Sequence, residues 1–337
     1  MSILEVGKLP FLRYLREKSW GEIMKTKTKI LLGLGAVSFS VAAIAHVKYY
    51  YEYAFTPKHK KFIKQPTNAV EKNDPLYKEK TWFLNEEKQT WRIKSANGKY
   101  ELVASYIPKA ESHKTVILLH GFMSNKNSMG KYAYFFNKKG YNVLLPDAQS
   151  HGKSGGKYIN YGWREKDDLI KWIDEVIGRT GSDQKIVLLE ESMGAATVMM
   201  TSGEDLPDQV KAIIEDCGYS NVKDEIIHQA SSVNKLPKFV NISSVDLLSA
   251  VNRLVNGYFL KNASVLKQLN KNYLPTLFIH GEKDDFVPTK MAYQNYNATR
   301  GPKELWIVKD AGHAESLSTD PKGYYKHLND FLNKYVG

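Results

Sequence analysis

The residues Val187-Leu188-Leu189-Glu190-Glu191-Ser192-Met193-Gly194-Ala195 combine an apolar run, a serine and a small-residue segment. An apolar strand, a sharp turn that carries serine and a helix with small first residues form the local setting of a nucleophile elbow. Such a turn exposes the serine hydroxyl above the edge of a sheet. Glu190 stands where the usual G-x-S-x-G pattern has its first glycine, so this run indicates the fold more firmly than it indicates activity.

A serine hydroxyl is a poor nucleophile at neutral pH and needs an imidazole to accept its proton and a carboxylate to orient that imidazole. Asp284 and His313 follow Ser192 in the order Ser, Asp, His that is expected when each lies on a loop after a strand of an open α/β sheet. We therefore predict that Ser192, Asp284 and His313 meet at one edge of the sheet as nucleophile, acid and base.

Two backbone N–H groups are also needed to bind the oxyanion of a tetrahedral intermediate, one after the nucleophile and one after an early strand. Met193 and Phe122 stand at those positions. Gly121, directly before Phe122, allows the backbone to turn close to a substrate. We predict that the amides of Phe122 and Met193 form the oxyanion hole.

Apolar runs alternate with segments of helical period through the rest of the chain, which predicts an α/β fold with a mostly parallel central sheet and helices on both faces. A longer excursion over about residues 219–274 is predicted to be a helical cap that shapes a ligand site at the carboxyl edge. The predicted strands are Thr90-Lys94, Glu101-Ile107, Thr115-Leu119, Tyr141-Pro146, Lys185-Leu189, Val210-Asp216, Thr276-His280 and Glu304-Val308, and the predicted helices are Ser128-Lys138, Glu165-Arg179, Met193-Thr201, Thr289-Tyr296 and Pro321-Tyr335.

From about Tyr77 to Tyr335 the chain resembles the α/β-hydrolase superfamily, and more closely its membrane-bound cell-surface serine hydrolases. The resemblance implies that Ser192 is the nucleophile, Asp284 the acid and His313 the base of an ester or amide hydrolase that uses no cofactor. It also favours Asp284 over the adjacent Asp285. The strings that carry it are H-G-F-M-S at His120-Ser124, D-A-Q-S-H-G-K-S at Asp147-Ser154, Y-G-W at Tyr161-Trp163, E-S-M-G-A at Glu191-Ala195, E-D-C-G-Y at Glu215-Tyr219, H-G-E-K-D-D-F-V-P at His280-Pro288 and A-G-H at Ala311-His313.

Two positions depart from the family pattern. Gln149-Ser150 replaces a common Arg-Gly, which alters local hydrogen bonding. Glu190 is more serious, because a carboxylate near the nucleophile either disturbs the oxyanion or escapes to solvent or to a basic partner. Glu191 is predicted to be buried and paired, and His120 and His280 are predicted to be structural.

Composition limits the classes of function. The 337 residues are 42% hydrophobic, which is ample for one large core, and 48 Lys+Arg against 36 Asp+Glu give a net charge of +12. No nucleic-acid-binding motif accompanies this charge, so it is interpreted as solvated and membrane-proximal surface, and no nucleic-acid partner is expected. The nine histidines lack metal-ligand spacing, and the single Cys217 is expected to be a buried thiol, so no metal is expected.

The N-terminal part is divided into a basic segment at 1–29, a transmembrane or signal-anchor helix at 30–47 and a linker at 48–76, ahead of the hydrolase domain at 77–337. A helix over Ile30–Val47 would be about 27 Å long, close to the roughly 30 Å hydrocarbon thickness of a bilayer. Lysines before it favour a cytoplasmic N-terminus and an extracytoplasmic hydrolase domain. A secretory signal that begins at Met24 and is cleaved near Ala43-Ile44-Ala45 is the alternative.

The leading hypothesis is a serine hydrolase of the cell envelope that cleaves carboxylic esters through an acyl-enzyme. Peptide or acyl-amino-acid amides are the alternative substrates. A protein of another class is also open, a hydrolase-fold binding module that Glu190 has disabled, since fold does not guarantee activity. The expected partners are a small-molecule ester or amide and the membrane; the oligomeric state is left open.

We predict that the chain fractionates with membranes and that protease added outside intact cells digests its C-terminal domain, because residues 30–47 would anchor it there. Fractionation and immunoblotting provide the measurement. A full-length protein found in the soluble cytoplasmic fraction would contradict the anchor.

Overall fold

In the part of the chain that the structure describes, the central sheet has eight strands in the order β1-β2-β4-β3-β5-β6-β7-β8. β1 and β2 pair antiparallel, β2 pairs antiparallel with β4, and all other neighbours are parallel. The predicted mostly parallel sheet is confirmed. The strands are β1 Gln89–Lys94, β2 Glu101–Ile107, β3 Lys114–Leu119, β4 Asn142–Pro146, β5 Lys185–Glu191, β6 Val210–Asp216, β7 Thr276–Gly281 and β8 Lys303–Val308.

The computed structural model describes residues 22, 24–25, 27, 29, 45, 47–58, 70–234 and 237–337. These belong to two compact units, residues 1–54 and 55–337. Residues 48–55 of the segment predicted as a linker are helical. Almost all of the predicted transmembrane segment at 30–47 lies outside the described residues. Among the residues that are described, no helix has the length and apolar character required to cross a bilayer.

Helices cover both faces of the sheet and account for the near-continuous apolar strands. Successive strand side chains point to opposite faces, so Val187 and Leu189 pack in one core cluster and Ile186 and Leu188 in the other. The helices are α1 Tyr77–Asn85, α2 Gly130–Lys138, α3 Glu165–Thr180, α4 Met193–Thr201, α5 Val222–Asn234, α6 Lys238–Asn256, α7 Val265–Leu269, α8 Lys290–Ala298, α9 Ser316–Thr319 and α10 Pro321–Tyr335, with short 3-10 turns at Lys126–Met129 and Leu260–Asn262.

The predicted strands, and the predicted helices that correspond to α2, α3, α4, α8 and α10, agree with the observed bounds within two residues at each end. Local signals explain this accuracy. In α10, for example, Pro321 is the first residue and the Asp320 side chain accepts a hydrogen bond from the Gly323 amide at 2.9 Å, as expected for a capped helix start. The helices α1 and α9 were not predicted.

Helices α5, α6 and α7 form the cap, which is inserted between β6 and β7 as predicted. The apolar residues of the cap divide into two groups. Leu248, Tyr258 and Leu260 are buried, whereas Phe239 and Leu247 are exposed. The buried group packs the cap, and the Tyr258 hydroxyl donates to the Asn160 carbonyl at 3.0 Å.

Gly194, the second residue of α4, lies against the end of β3 so closely that a side chain does not fit. A Cβ at Gly194 would lie 2.4 Å from the Leu119 carbonyl oxygen and 2.9 Å from that of His120. Both contacts are with backbone atoms, so they cannot be relieved by a side-chain rotation. This close approach sets where helix α4 starts above the sheet.

We predict that Gly194→Ala lowers the free energy of unfolding by about 1–3 kcal/mol, the usual cost of overpacking a close-packed site. Gly178→Ala is the matched control, because Gly178 is an exposed residue of α3 with open space around its Cβ position. That change is expected to stabilise the helix by about 0.5–1 kcal/mol. Denaturant unfolding measures both, and equal stabilities for the two variants would refute the close-packing account.

Candidate active site

Ser192 occupies the turn between β5 and α4 in an unusual backbone conformation, with φ 58° and ψ −115°. A non-glycine residue in such a conformation costs on the order of 1–3 kcal/mol and persists only where its surroundings hold it. The Ser192 amide donates to the Asp216 carbonyl at 2.8 Å, and the Ser192 carbonyl accepts from the Ala196 amide at 3.0 Å. The turn is therefore held by the neighbouring strand and by the helix that it starts.

The side chains of the three predicted catalytic residues form one continuous chain of hydrogen bonds. Ser192 Oγ lies 2.8 Å from His313 Nε2, and His313 Nδ1 lies 2.8 Å from Asp284 Oδ2. A carboxylate only accepts, so Nδ1 carries the proton and the lone pair of Nε2 faces the serine hydroxyl. The serine proton therefore has an acceptor in place.

Asp284 is buried and strongly anchored. Its Oδ1 accepts hydrogen bonds from the amides of Phe286 at 3.0 Å and Val287 at 2.8 Å. Burial acts to raise the pKa of Asp284, but hydrogen bonds from His280 and His313 and the charge of both imidazoles outweigh it and lower the pKa to about 2. The adjacent Asp285 is exposed, so Asp284 is the carboxylate at the site.

His280 also contacts this carboxylate, which the sequence interpretation missed. His280 Nε2 lies 3.2 Å from Asp284 Oδ2 and 2.8 Å from the Val287 carbonyl oxygen. The predicted structural role is thus incomplete. The signal that could have found the contact is the spacing of His280 and Asp284, which lie four residues apart where β7 ends.

The positions predicted for the oxyanion hole lie beside the nucleophile. Met193 is the first residue of α4, and Phe122 follows Gly121, whose added Cβ would lie 3.1 Å from Ser192 Cβ. Gly121 therefore allows the β3 loop to approach Ser192 closely. The use of the Phe122 and Met193 amides as oxyanion donors stays a prediction.

Two aromatic contacts involve His313 and the loop after β3. The Phe286 ring lies over the His313 imidazole with centroids 4.7 Å apart, and the Phe122 ring stacks on Tyr161 at 5.3 Å. The cap reaches the same loop, since Gln229 Nε2 donates to the Phe286 carbonyl at 2.6 Å. Helix α5 therefore helps to hold the loop that carries Asp284.

A network of polar groups supports the elbow from the other face of the sheet. The Glu191 carboxylate lies 2.5 Å from Lys131 Nζ and accepts from the Tyr132 hydroxyl at 2.9 Å. Asp216 accepts from the Tyr324 hydroxyl at 3.0 Å and from Ser316 Oγ at 3.0 Å. Glu191 is buried and paired, as predicted.

Glu190 neither points toward the oxyanion as a charged group nor reaches solvent or a basic partner, the two outcomes expected from the sequence. Its side chain is fully buried and shares a strand face with Ile186 and Leu188, and neither of its oxygens has a hydrogen-bond partner of ordinary geometry. Burial raises the pKa of Glu190 well above 4.5, against a small opposing effect of the Val198 amide. Burial thus favours the protonated, uncharged form of Glu190, the form that places no negative charge beside Ser192.

The loop after β4 carries Gln149-Ser150, which replaces the Arg-Gly of the family pattern. Ser150 has a φ of 66°, in the region that favours glycine, and its Oγ donates to the Tyr158 carbonyl at 2.9 Å. Asp147 holds the same loop by accepting from the amides of Lys126 at 2.8 Å and Lys153 at 2.9 Å. Ser150 and Asp147 thus tie the loop to its neighbours; the change in local hydrogen bonding relative to Arg-Gly stays a prediction.

Among the described residues, Cys217, Asp284 and His313 have donor atoms within 4.8 Å of one another, a grouping that could hold a metal ion. Burial, followed by the nearby charges of Asp216 and Asp284, raises the pKa of the Cys217 thiol well above 9.0. A metal would have to displace the thiol proton and open the hydrogen bond between Asp284 and His313. The thiol is buried, as predicted.

Comparison with known proteins places these features in context. The family model for serine aminopeptidase, S33, matches residues 110–251, which include the elbow but end before Asp284 and His313. The uncharacterized protein YqkD of Bacillus subtilis (strain 168) is 31% identical over 308 residues, covering 90% of this chain and 97% of YqkD.

A carboxylesterase of Bacillus subtilis (strain 168) is 22% identical over 243 residues, covering 66% of this chain and 93% of that enzyme. Among solved structures, the Pyrococcus furiosus esterase Pf2001 aligns with a TM-score of 0.62 at 25% identity, covering 83% of this chain and 100% of the esterase chain. The similarity to YqkD and to Pf2001 thus extends over most of this chain.

We predict that Glu190→Gln stabilises the protein increasingly as pH rises above about 4.5. Below that pH the group is protonated in both folded and unfolded chains; above it the unfolded chain ionises while the folded chain resists, so stability falls by about 1.4 kcal/mol per pH unit up to the folded-state pKa. Glutamine removes this loss.

Denaturant unfolding of the variant and the unaltered protein at pH 5 and pH 8 measures the effect. Glu87→Gln, at an exposed glutamate, provides the control for surface charge. A stability difference for Glu190→Gln that is the same at both pH values would show that Glu190 ionises in the folded protein.

Proposed function

The chain belongs to the α/β-hydrolase superfamily, and on that premise we propose that it is a serine hydrolase whose first substrate class is carboxylic esters. The observation that carries the proposal is the unbroken hydrogen-bonded chain from Ser192 Oγ through His313 to Asp284, with both distances at 2.8 Å. A positioned general base of this kind increases the rate of a reaction by a factor of about 10²–10⁴.

In the proposed reaction, Ser192 Oγ attacks the ester carbonyl carbon while His313 Nε2 takes the serine proton. Asp284 holds Nδ1 and stabilises the imidazolium that forms. The amides of Phe122 and Met193 bind the oxyanion. Collapse of the tetrahedral intermediate breaks the bond to the alcohol, which leaves with the proton from His313; water, activated by His313, then releases the acid and restores Ser192.

The state of Glu190 supports activity over the alternative of a disabled binding module. A carboxylate beside the oxyanion would oppose the negative charge of the intermediate. Because burial raises the pKa of Glu190 and favours its uncharged form, the side chain is in the form that does not oppose the oxyanion. A glutamate is also larger than the glycine of the usual pattern. The Glu190 side chain is accommodated because it is buried in the core.

Esters are preferred over amides for two reasons. The carboxylesterase of Bacillus subtilis and the Pyrococcus furiosus esterase are named for ester chemistry. The ring of Phe286 over His313 and that of Phe122, next to Gly121 and Ser192, suit an acyl or aromatic group. The S33 family model is named for an aminopeptidase, which keeps peptide and acyl-amino-acid amides as the second candidate class.

We further propose that the enzyme acts at the cell envelope. This proposal depends on the charge-free stretch within residues 30–47 and on the lysines that precede it.

We predict that a fluorophosphonate probe labels the purified protein at a single serine and that Ser192→Ala abolishes the labelling, because Ser192 is the one serine among the described residues whose hydroxyl has a histidine ring nitrogen in place to accept its proton. Gel fluorescence and peptide mapping measure the adduct. On matched substrate panels, turnover of aryl esters is expected to exceed that of the corresponding anilides.

Ser124→Ala serves as the control, because Ser124 bonds to Ser128 at 2.8 Å and not to His313. Absence of labelling in a folded sample would reject the serine hydrolase and favour the binding module. Faster turnover of anilides than of esters would replace the esterase with the amidase.

A further inference from the structure

Two histidines share the carboxylate of Asp284. His280, at the end of β7, is fully buried and directs Nε2 toward Asp284 Oδ2 at 3.2 Å and the Val287 carbonyl oxygen at 2.8 Å. Both of these atoms are acceptors, so Nε2 carries a proton: it donates to the nearer Val287 carbonyl and shares the same proton with Asp284 Oδ2 through the longer contact. The oxygen that receives this bond, Oδ2, is the same one that holds His313.

The bond from His280 completes the donor set of the carboxylate. Asp284 Oδ1 accepts from two backbone amides, Phe286 and Val287, and Oδ2 accepts from two imidazoles, His280 and His313. An ionised carboxylate has about four lone-pair sites. Each oxygen therefore faces two N–H groups, and rotation of the carboxylate would disrupt these contacts.

Other titratable groups face His280 but leave Asp284 as the principal negative charge. Glu215 on β6 and Glu225 on α5 are buried, and burial raises the pKa of each to about 8. Both are therefore mainly uncharged at pH 7. Burial alone would lower the pKa of His280, but its contact with Asp284, Glu215 in its ionised form and the charge of Asp284 raise it instead.

We propose that His280 is a positioning residue for the hydrolase: by donating from Nε2 to Asp284 Oδ2, it fixes the carboxylate that orients His313 and shares the negative charge of that oxygen. The catalytic part of this inference depends on the proposed function. The contact between His280 and Asp284 does not.

A second histidine provides a comparison within the chain. His120 also precedes a glycine at the end of a strand and is also buried, but its Nε2 accepts from the Ala148 amide at 3.1 Å, and burial lowers its pKa. It makes no hydrogen bond to Asp284 or His313 among those described. A His-Gly pair at a strand end is therefore not enough, and the spacing of His280 to Asp284 is what directs its proton to the carboxylate.

The test removes the donor in two ways. His280→Leu removes the hydrogen bond, and His280→Gln keeps a neutral donor. We expect the pKa of Asp284 to rise from about 2 toward 3.8 in His280→Leu and to rise less in His280→Gln, because fewer donors stabilise the carboxylate. Carbon-13 NMR of the aspartate carboxyl groups measures this change and requires no catalytic activity.

The same variants are then labelled with the fluorophosphonate probe and assayed on an ester. We expect His280→Leu to lower the labelling rate and kcat about tenfold with KM unchanged, since a mobile carboxylate orients His313 less well, and His280→Gln to restore most of the loss. His327→Gln on α10 is the control, because that imidazole stacks on Trp306, away from the site.

The outcomes separate the two proposals. If the unaltered protein does not label, the hydrolase proposal fails, while the NMR shift still decides whether His280 holds Asp284. An unchanged pKa of Asp284 in folded His280→Leu would overturn the inference, as would a labelling loss equal to the unfolded fraction seen by circular dichroism. If both variants fail to fold, nitrogen-15 NMR of the unaltered protein decides, since an unprotonated Nε2 on His280 contradicts the proposed bond and a protonated one supports it.

Discussion

The strained turn at Ser192 is the constraint on which the rest of the site depends. A serine with φ 58° and ψ −115° is unfavourable in isolation, so the surrounding structure must hold it. The Asp216 carbonyl fixes its amide, and Gly194 lets α4 start directly against the end of β3. The cost of the turn is offset by the strand pairing and core packing of the whole sheet, which place the hydroxyl where the loops after β7 and β8 also end.

Charge is distributed unevenly around this turn. Burial keeps Glu215 and Glu225 mainly uncharged at pH 7 and raises the pKa of Glu190 in the same direction, because a carboxylate in a low-dielectric interior is unfavourable without donors. Asp284 is also buried, yet four donors surround it and its pKa falls to about 2. The site thus contains acids of similar burial but opposite protonation, and the difference lies in the number of N–H groups that each one receives.

This arrangement explains how a glutamate can stand in the elbow. As a charged group, Glu190 would oppose an oxyanion and require a cation or water. As a neutral acid it behaves as a polar core side chain between the sheet and α4. The cap also stabilises the site. Gln229 on α5 donates a hydrogen bond to the backbone of the loop that carries Asp284, so the cap helps to hold this loop in place.

Local patterns in the amino-acid sequence were sufficient for the strands, for the helices around the elbow and for the candidates Ser192, Asp284 and His313. Strand and helix periods, helix caps and short motifs are properties of neighbouring residues, and parallel strands bring their carboxyl ends to one edge. The protonation of Glu190, the bond from His280 to Asp284 and the contact of α5 with the acid loop were not predictable in this way. Each of these features depends on burial, on distances between residues of different elements, or on the side-chain rotamers of residues a few positions apart. Only the packed tertiary structure sets these quantities.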